Sequence, residues 1–104
     1  MKREYQFDVA VAGAGTAGTA AAVGAALAGA KTVLIERSPY PGGEATHSGV
    51  AAFCGFYTCG GDPVKAVAGV GEMILKEMEE LDPSSINYIV SATGNKILIF
   101  ILNI

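Results

Sequence analysis

Gly13, Ala14, Gly15, Thr16, Ala17 and Gly18 spell G-x-G-x-x-G, a spacing that can cradle a pyrophosphate. In such a cradle Gly13 permits a tight turn. Gly15 lets the backbone approach the phosphates with no Cβ in the way, and Gly18 lets a helix pack closely on a strand. The phosphates would lie on the unpaired N–H groups and positive dipole end of the helix that the motif opens. No Asp or Glu stands in the turn that follows, so no carboxylate there opposes an anion. In a chain with 14 glycines the spacing by itself says little. Glu36 adds a second part, because a carboxylate eighteen residues beyond Gly18 can accept hydrogen bonds from the ribose hydroxyls of an adenosine. Arg37, beside it, is placed either to contact an adenine or to reach into solvent.

Those residues work only if a strand precedes the motif, a helix follows it and a second strand ends in the acid. Tyr5 to Ala12 turns apolar toward its end, with Phe7, Val9 and Val11, and predicts a strand buried on both faces of a parallel sheet. Thr16 to Ala28 is mostly alanine, the strongest helix former, and Gly29 suits a left-handed C-terminal cap. Lys31 to Glu36 contains Thr-Val-Leu-Ile, a second short buried strand. Residues 1–36 therefore read as a βαβ unit built round the motif, and this context makes the spacing specific.

Downstream, residues 37–61 predict a loop, with Pro39, Pro41, Gly42-Gly43 and Gly60-Gly61 as turn signals. A loop that long in a compact domain is usually functional. Asp62-Pro63 predicts the N-cap and first position of a helix over 62–82, which Asp82-Pro83 ends. Val67, Val70, Ile74, Met78 and Leu81 form its apolar stripe, expected to lie on a sheet or on the first helix. Ile86 to Val90 and Lys96 to Leu102 predict a β-hairpin within 86–104, its turn using Gly94 and Asn95.

A chain of 104 residues holds at most one small domain. A full doubly wound domain has about six strands, so an incomplete domain is expected here, one that continues in a downstream domain or in a partner chain. Seven Lys and Arg against ten Asp and Glu give a net charge of −3, without the basic footprint that nucleic acid requires. Val9 to Ala30 has no charged residue, yet its five glycines, two threonines and single Leu argue against a secretion signal or membrane span. The expected location is cytoplasmic, with no membrane partner. Cys54 and Cys59 are too few for a disulfide framework, and with one distant His they fall short of a zinc site, so no metal is expected.

The order strand, G-A-G-T-A-G, helix, a strand ending in Glu36-Arg37, then Ser-Pro-Tyr-Pro-Gly42-Gly43 resembles the N-terminus of the two-dinucleotide-fold flavoproteins. Gly43 to Val50, followed by Cys54-Gly55-Phe56-Tyr57, is similar to the FAD-dependent oxidoreductases related to the fumarate reductase flavoprotein group. The similarity covers residues 5–81 and is strongest over 8–50. It implies an α/β fold: a Rossmann-like FAD/NAD(P)-binding βαβ unit with an added amphipathic helix and a C-terminal β-hairpin. It implies FAD rather than NAD as cofactor, held by Gly13 to Gly18, Glu36 and Arg37, with Gly42-Gly43 returning beside the flavin pyrophosphate.

For His47 the resemblance leaves three roles open: covalent attachment to flavin, proximity to it, or an ordinary loop histidine. Cys54 and Cys59 with Pro63 and Lys65 resemble the redox disulfide of the glutathione reductase group. In that group, however, the first Cys follows Gly-Gly almost directly, whereas ten residues separate Gly43 from Cys54 here. Two buried or loop thiols are the other reading. The function implied is the FAD-binding portion of a flavin-dependent oxidoreductase acting on a small-molecule substrate, with no catalytic acid or base assignable. The alternatives are a non-catalytic fragment or subunit needing a partner chain, an NAD-binding Rossmann domain, and a flavin-coupled disulfide reductase.

Overall fold

The computed structural model describes residues 1–90 and 96–100. The chain divides into two units, Met1–Gly49 and Val50–Ile104.

In the first unit β1 (Val9–Ala12), α1 (Thr16–Leu27) and β2 (Thr32–Ile35) form a βαβ unit. The two strands pair in parallel, Val9 opposite Thr32 through Ala12 opposite Ile35. β1 is shorter than the expected Tyr5 to Ala12, and Tyr5 and Phe7 are exposed ahead of it. It is also not buried on both faces: Val9 and Val11 are half-buried while Ala10 and Ala12 are exposed. α1 covers one face of the pair, and Val11 lies on that side, its Cγ1 3.6 Å from where a Cβ of Gly18 would be. Polar contacts fix the entry to β1, with Asp8 accepting the Lys31 N–H at 2.8 Å.

α1 ends in a Schellman arrangement: Ala30 N–H donates to Ala25 O at 3.1 Å and Gly29 N–H to Ala26 O at 3.0 Å. Gly29 closes it at φ +92°, a conformation that L side chains avoid. Gly29→Ala is therefore expected to lower stability by about 1–2 kcal/mol. Chemical denaturation would show this as a lower midpoint at unchanged slope.

The stretch expected as one loop, 37–61, carries structure of its own: a single-turn helix α2 (Glu44–His47) and the short strand β3 (Ala52–Phe53). The helix expected from Asp62 begins only at Val70, as α3 (Val70–Leu81). The cause lies in the residues before it, where Tyr57 and Lys65 form an antiparallel bridge. Ala66 N–H donates to Phe56 O and Thr58 N–H to Val64 O, both at 2.8 Å, while Val64 N–H reaches Thr58 Oγ1. Those groups are spent across a hairpin-like turn, so a helix cannot use them, and the strong Asp-Pro start signal loses.

The inner face of α3 matches the expected stripe in part. Val70 and Met78 are half-buried as expected, joined by Gly71 and Leu75 with Phe56 packed against Gly71, whereas Val67 and Ile74 are exposed and Leu81 is 86% exposed. β4 (Ile86–Val90) and β5 (Lys96–Phe100) pair antiparallel from Val90 opposite Lys96, the expected hairpin, and β3 adds to the other edge of β5. The turn assigned to Gly94 and Asn95 lies outside the described residues. Lys96 Nζ sits 4.3 Å from the Tyr57 ring centre and 4.4 Å from that of Tyr88, and Lys65 pairs with Glu72.

Candidate functional site

At the end of β1 the chain turns through Gly13, whose N–H donates to Ile35 O at 2.8 Å and so ties the turn to the end of β2. Gly15 is the N-cap of α1 in extended backbone, with no side-chain cap, and no acidic residue occupies the first turn. The earliest bond into the helix is Thr19 N–H to Gly15 O, at 2.9 Å, which leaves the N–H groups at the start of the helix without backbone partners. With the dipole behind them, they form an anion-accepting end.

The three glycines differ in what surrounds them. A Cβ on Gly18 would lie 1.9 Å from Gly13 O, so helix and turn touch there. A Cβ on Gly15 would meet nothing within 4 Å. Open space next to an uncapped helix start is what a phosphate-sized group requires.

Ala14 does not open onto that space. It is 1% exposed and both its backbone groups are engaged: its N–H donates to Glu36 Oε2 at 2.5 Å, and its carbonyl accepts Gly42 N–H at 2.8 Å and Thr19 Oγ1 at 3.1 Å. Glu36 Oε1 accepts the Ser38 N–H at 2.8 Å. These bonds to the charged form, from Ser38 first and then Ala14, bring the Glu36 carboxyl from an ordinary 4.5 down to about 2.

A carboxyl that is more acidic folded than unfolded adds stability above pH 4.5 and loses it as pH falls toward 2. Acid titration of the fold should therefore show a wild-type decline across that window that Glu36→Gln lacks. Parallel curves would show that the folded-state bonds to Glu36 do not form in solution.

Gly42 and Gly43 bring a second segment onto the glycine turn. Thr16 Oγ1 donates to Gly42 O at 3.1 Å, and a Cβ on Gly43 would lie 2.9 Å from Gly15 Cα. Gly43, at φ +53° and ψ −131°, then opens α2. His47, at the end of that turn, stacks on Tyr40 with ring centres 4.5 Å apart and planes at 14°.

Between these segments lies a cleft of about 600 Å³. Of the residues singled out from sequence, Gly13, Gly15, Glu36, Arg37, Gly43 and His47 line it together. Ala14, Thr16, Ala17, Gly18 and Gly42 are not among its lining; Thr16 and Ala17 are exposed at the helix start. Ala12, Ile35, Ser38 and Glu44 also line it and were not foreseen. Ile35, read as a buried strand residue, is 56% exposed at the cleft, and an alternating pattern in β2 would have been the only sequence signal for that. Ser38 contributes a backbone N–H, which no residue type announces.

Cys54 and Cys59, in the second unit, are exposed free thiols rather than buried ones. Among the described residues no three His, Cys, Asp or Glu groups come together as a metal site, and no helix is long and apolar enough to cross a membrane.

The residues present fit a dinucleotide's adenosine diphosphate end: an uncapped helix start beside open space, an ionised acceptor at the next strand end, and an apolar surface at Ile35. Several curated proteins match part of this chain. The soluble pyridine nucleotide transhydrogenase of Ectopseudomonas mendocina is 47% identical over 45 residues, 43% of this chain and 10% of that protein. That of Hahella chejuensis is 48% identical over 46 residues, 44% of this chain and 10% of the relative. The 3-oxosteroid 1-dehydrogenase of Mycobacterium tuberculosis is 48% identical over 44 residues, 42% of this chain and 8% of the relative. The matched segment thus spans about a tenth of the length of these curated relatives. No solved structure matches the chain at a significant level. A family model described as FAD dependent oxidoreductase matches residues 8–99, and the chain therefore belongs to that family, with FAD as the cofactor.

Proposed function

We propose that residues 1–49 form the adenosine and pyrophosphate end of the FAD site in a flavin-dependent oxidoreductase acting on a small-molecule substrate. The observation that carries this reading is the convergence of the uncapped start of α1, the space in front of Gly15 and the Glu36 carboxylate on one cleft. The α1 N–H groups would take the pyrophosphate oxygens. Glu36 uses one acceptor site on each oxygen for Ala14 and Ser38, which leaves one lone pair on each for ribose hydroxyls. The exposed face of Ile35 offers an apolar seat for adenine, and Arg37 lies at its edge. This is the Rossmann-like arrangement in its βαβ form.

When bound, FAD supplies the redox chemistry, accepting a hydride or an electron pair from the substrate. The chain supplies binding and orientation for one end of it. Relatives named for a transhydrogenase and for a steroid dehydrogenase share this short segment at similar identity. That pattern supports a segment that binds cofactor and does not choose substrate. Exposed Phe7 and Leu27 in the first unit favour its working inside a larger enzyme or with a partner chain, which would cover them.

Titration of the purified chain with FAD, followed by flavin fluorescence with NAD as competitor, tests the reading. Weak saturable FAD binding that NAD does not displace is expected. Displacement by NAD at comparable concentration would favour a nicotinamide site instead.

A further inference from the structure

We propose that Glu36 is a positioning residue for the phosphate-binding turn: its carboxylate clasps the Ala14 N–H, and through Ala14 it sets both the Gly13–Gly18 turn and the Gly42–Gly43 segment. The role rests on the FAD-site reading only for what the turn holds, since the clasp consists of the chain's own atoms.

Ala14 is the node. Its N–H points to Glu36 at 2.5 Å, and its carbonyl receives Gly42 N–H at 2.8 Å and the Thr19 hydroxyl at 3.1 Å. One residue thus joins the end of β2, through the N–H of the Gly13–Ala14 peptide, to the second glycine segment and the second turn of α1, through the carbonyl of the Ala14–Gly15 peptide. Gly42 is tied back by Thr16, and Gly43 rests against Gly15, so a shift of Ala14 would displace both glycine segments at the cleft. A bond to an ionised acceptor is the strong kind, and at a residue 1% exposed no water can replace it. An N–H spent on Glu36 is also unavailable to a phosphate, so the anion's donors are those at the start of α1.

Inorganic pyrophosphate separates this role from ribose contact, because it has no ribose. Glu36→Gln removes a negative charge from the cleft, which by field alone strengthens anion binding. Glu44→Gln removes a charge from the same cleft without touching the clasp, since Glu44 bonds Ser48. The expected result is that amide exchange at Ala14 and Gly42 speeds up about tenfold or more in Glu36→Gln, because one neutral carbonyl oxygen replaces a charged carboxylate that served both the Ala14 and the Ser38 N–H. Pyrophosphate binding should weaken in Glu36→Gln and strengthen slightly in Glu44→Gln.

Unchanged exchange at Ala14 and Gly42, or tighter pyrophosphate binding in both variants, would overturn the proposal. If the wild-type chain binds neither pyrophosphate nor FAD, the FAD-site reading fails while the exchange result still decides the clasp. Should Glu36→Gln not fold, the wild-type chain provides the test. A through-hydrogen-bond coupling between the Ala14 amide nitrogen and the Glu36 carboxylate carbon is expected, and its absence would refute the contact.

Discussion

Gly18→Val is expected to destabilise the fold by roughly 3 kcal/mol or more, because overpacking a rigid contact costs about 1–3 kcal/mol and this contact has no room at all. A Cβ at that position would lie 1.9 Å from Gly13 O and 3.0 Å from Gly13 C. The obstacle is backbone, and that backbone is fixed by the Gly13 N–H bond to Ile35 O at 2.8 Å, so it cannot yield without opening the β1–β2 connection. In a chain of this size each kcal/mol moves the melting temperature by roughly 4–8 °C, so a drop on the order of 10–20 °C in thermal unfolding is anticipated. Gly24→Ala serves as the comparison. It lies in the same helix, a Cβ there meets nothing within 4 Å, and the change should stabilise by about 0.5–1 kcal/mol through helix propensity. Equal behaviour at the two glycines would mean that helix and turn are not in contact.

The second large effect belongs to Gly15 and has the opposite signature. Its backbone, φ −62° and ψ −179°, is one that any residue adopts, and its Cβ direction is open. Gly15→Val should therefore leave unfolding nearly unchanged while placing a branched side chain where the pyrophosphate must sit. A loss of FAD affinity on the order of 100-fold is expected, about 2.7 kcal/mol of binding. Fluorescence titration of folded variant against wild type reads this directly. Undiminished affinity would show that the cofactor's phosphates do not lie on this turn, whatever the fate of the fold. Taken together the two glycines assign one motif position to packing and another to binding, a split that neither experiment alone could make.

The first unit was largely legible before any coordinates. The βαβ order follows from a β-branched run, an alanine-rich run and a second β-branched run, each local in the chain, and Gly29 marks the helix end through its own conformational freedom. The packing role of Gly18 could be read because only glycine lets the helix start come so close to the turn. Less legible was the second unit. Asp62-Pro63 is a strong helix start by local preference, yet the Val64 carbonyl and the Ala66 N–H, which a helix would use, are claimed by Thr58 and Phe56, partners that no local rule identifies. The apolar stripe of α3 shifted for the same reason: it is set by Phe56 at Gly71, and spacing alone admits several rotations of the helix.

What the sequence determined by itself is therefore the local elements of the first unit, the glycine turn between β1 and α1, and the acid at the end of β2. Only the tertiary structure decided how they are joined: that Ala14 is buried and bonded to Glu36, that Gly43 lies on Gly15, and that Ile35 faces the cleft. The physical reason is the range of the interactions. Propensity and glycine conformation act within a few residues, whereas the Glu36 clasp bridges twenty-two positions and exists only once β2 lies beside β1.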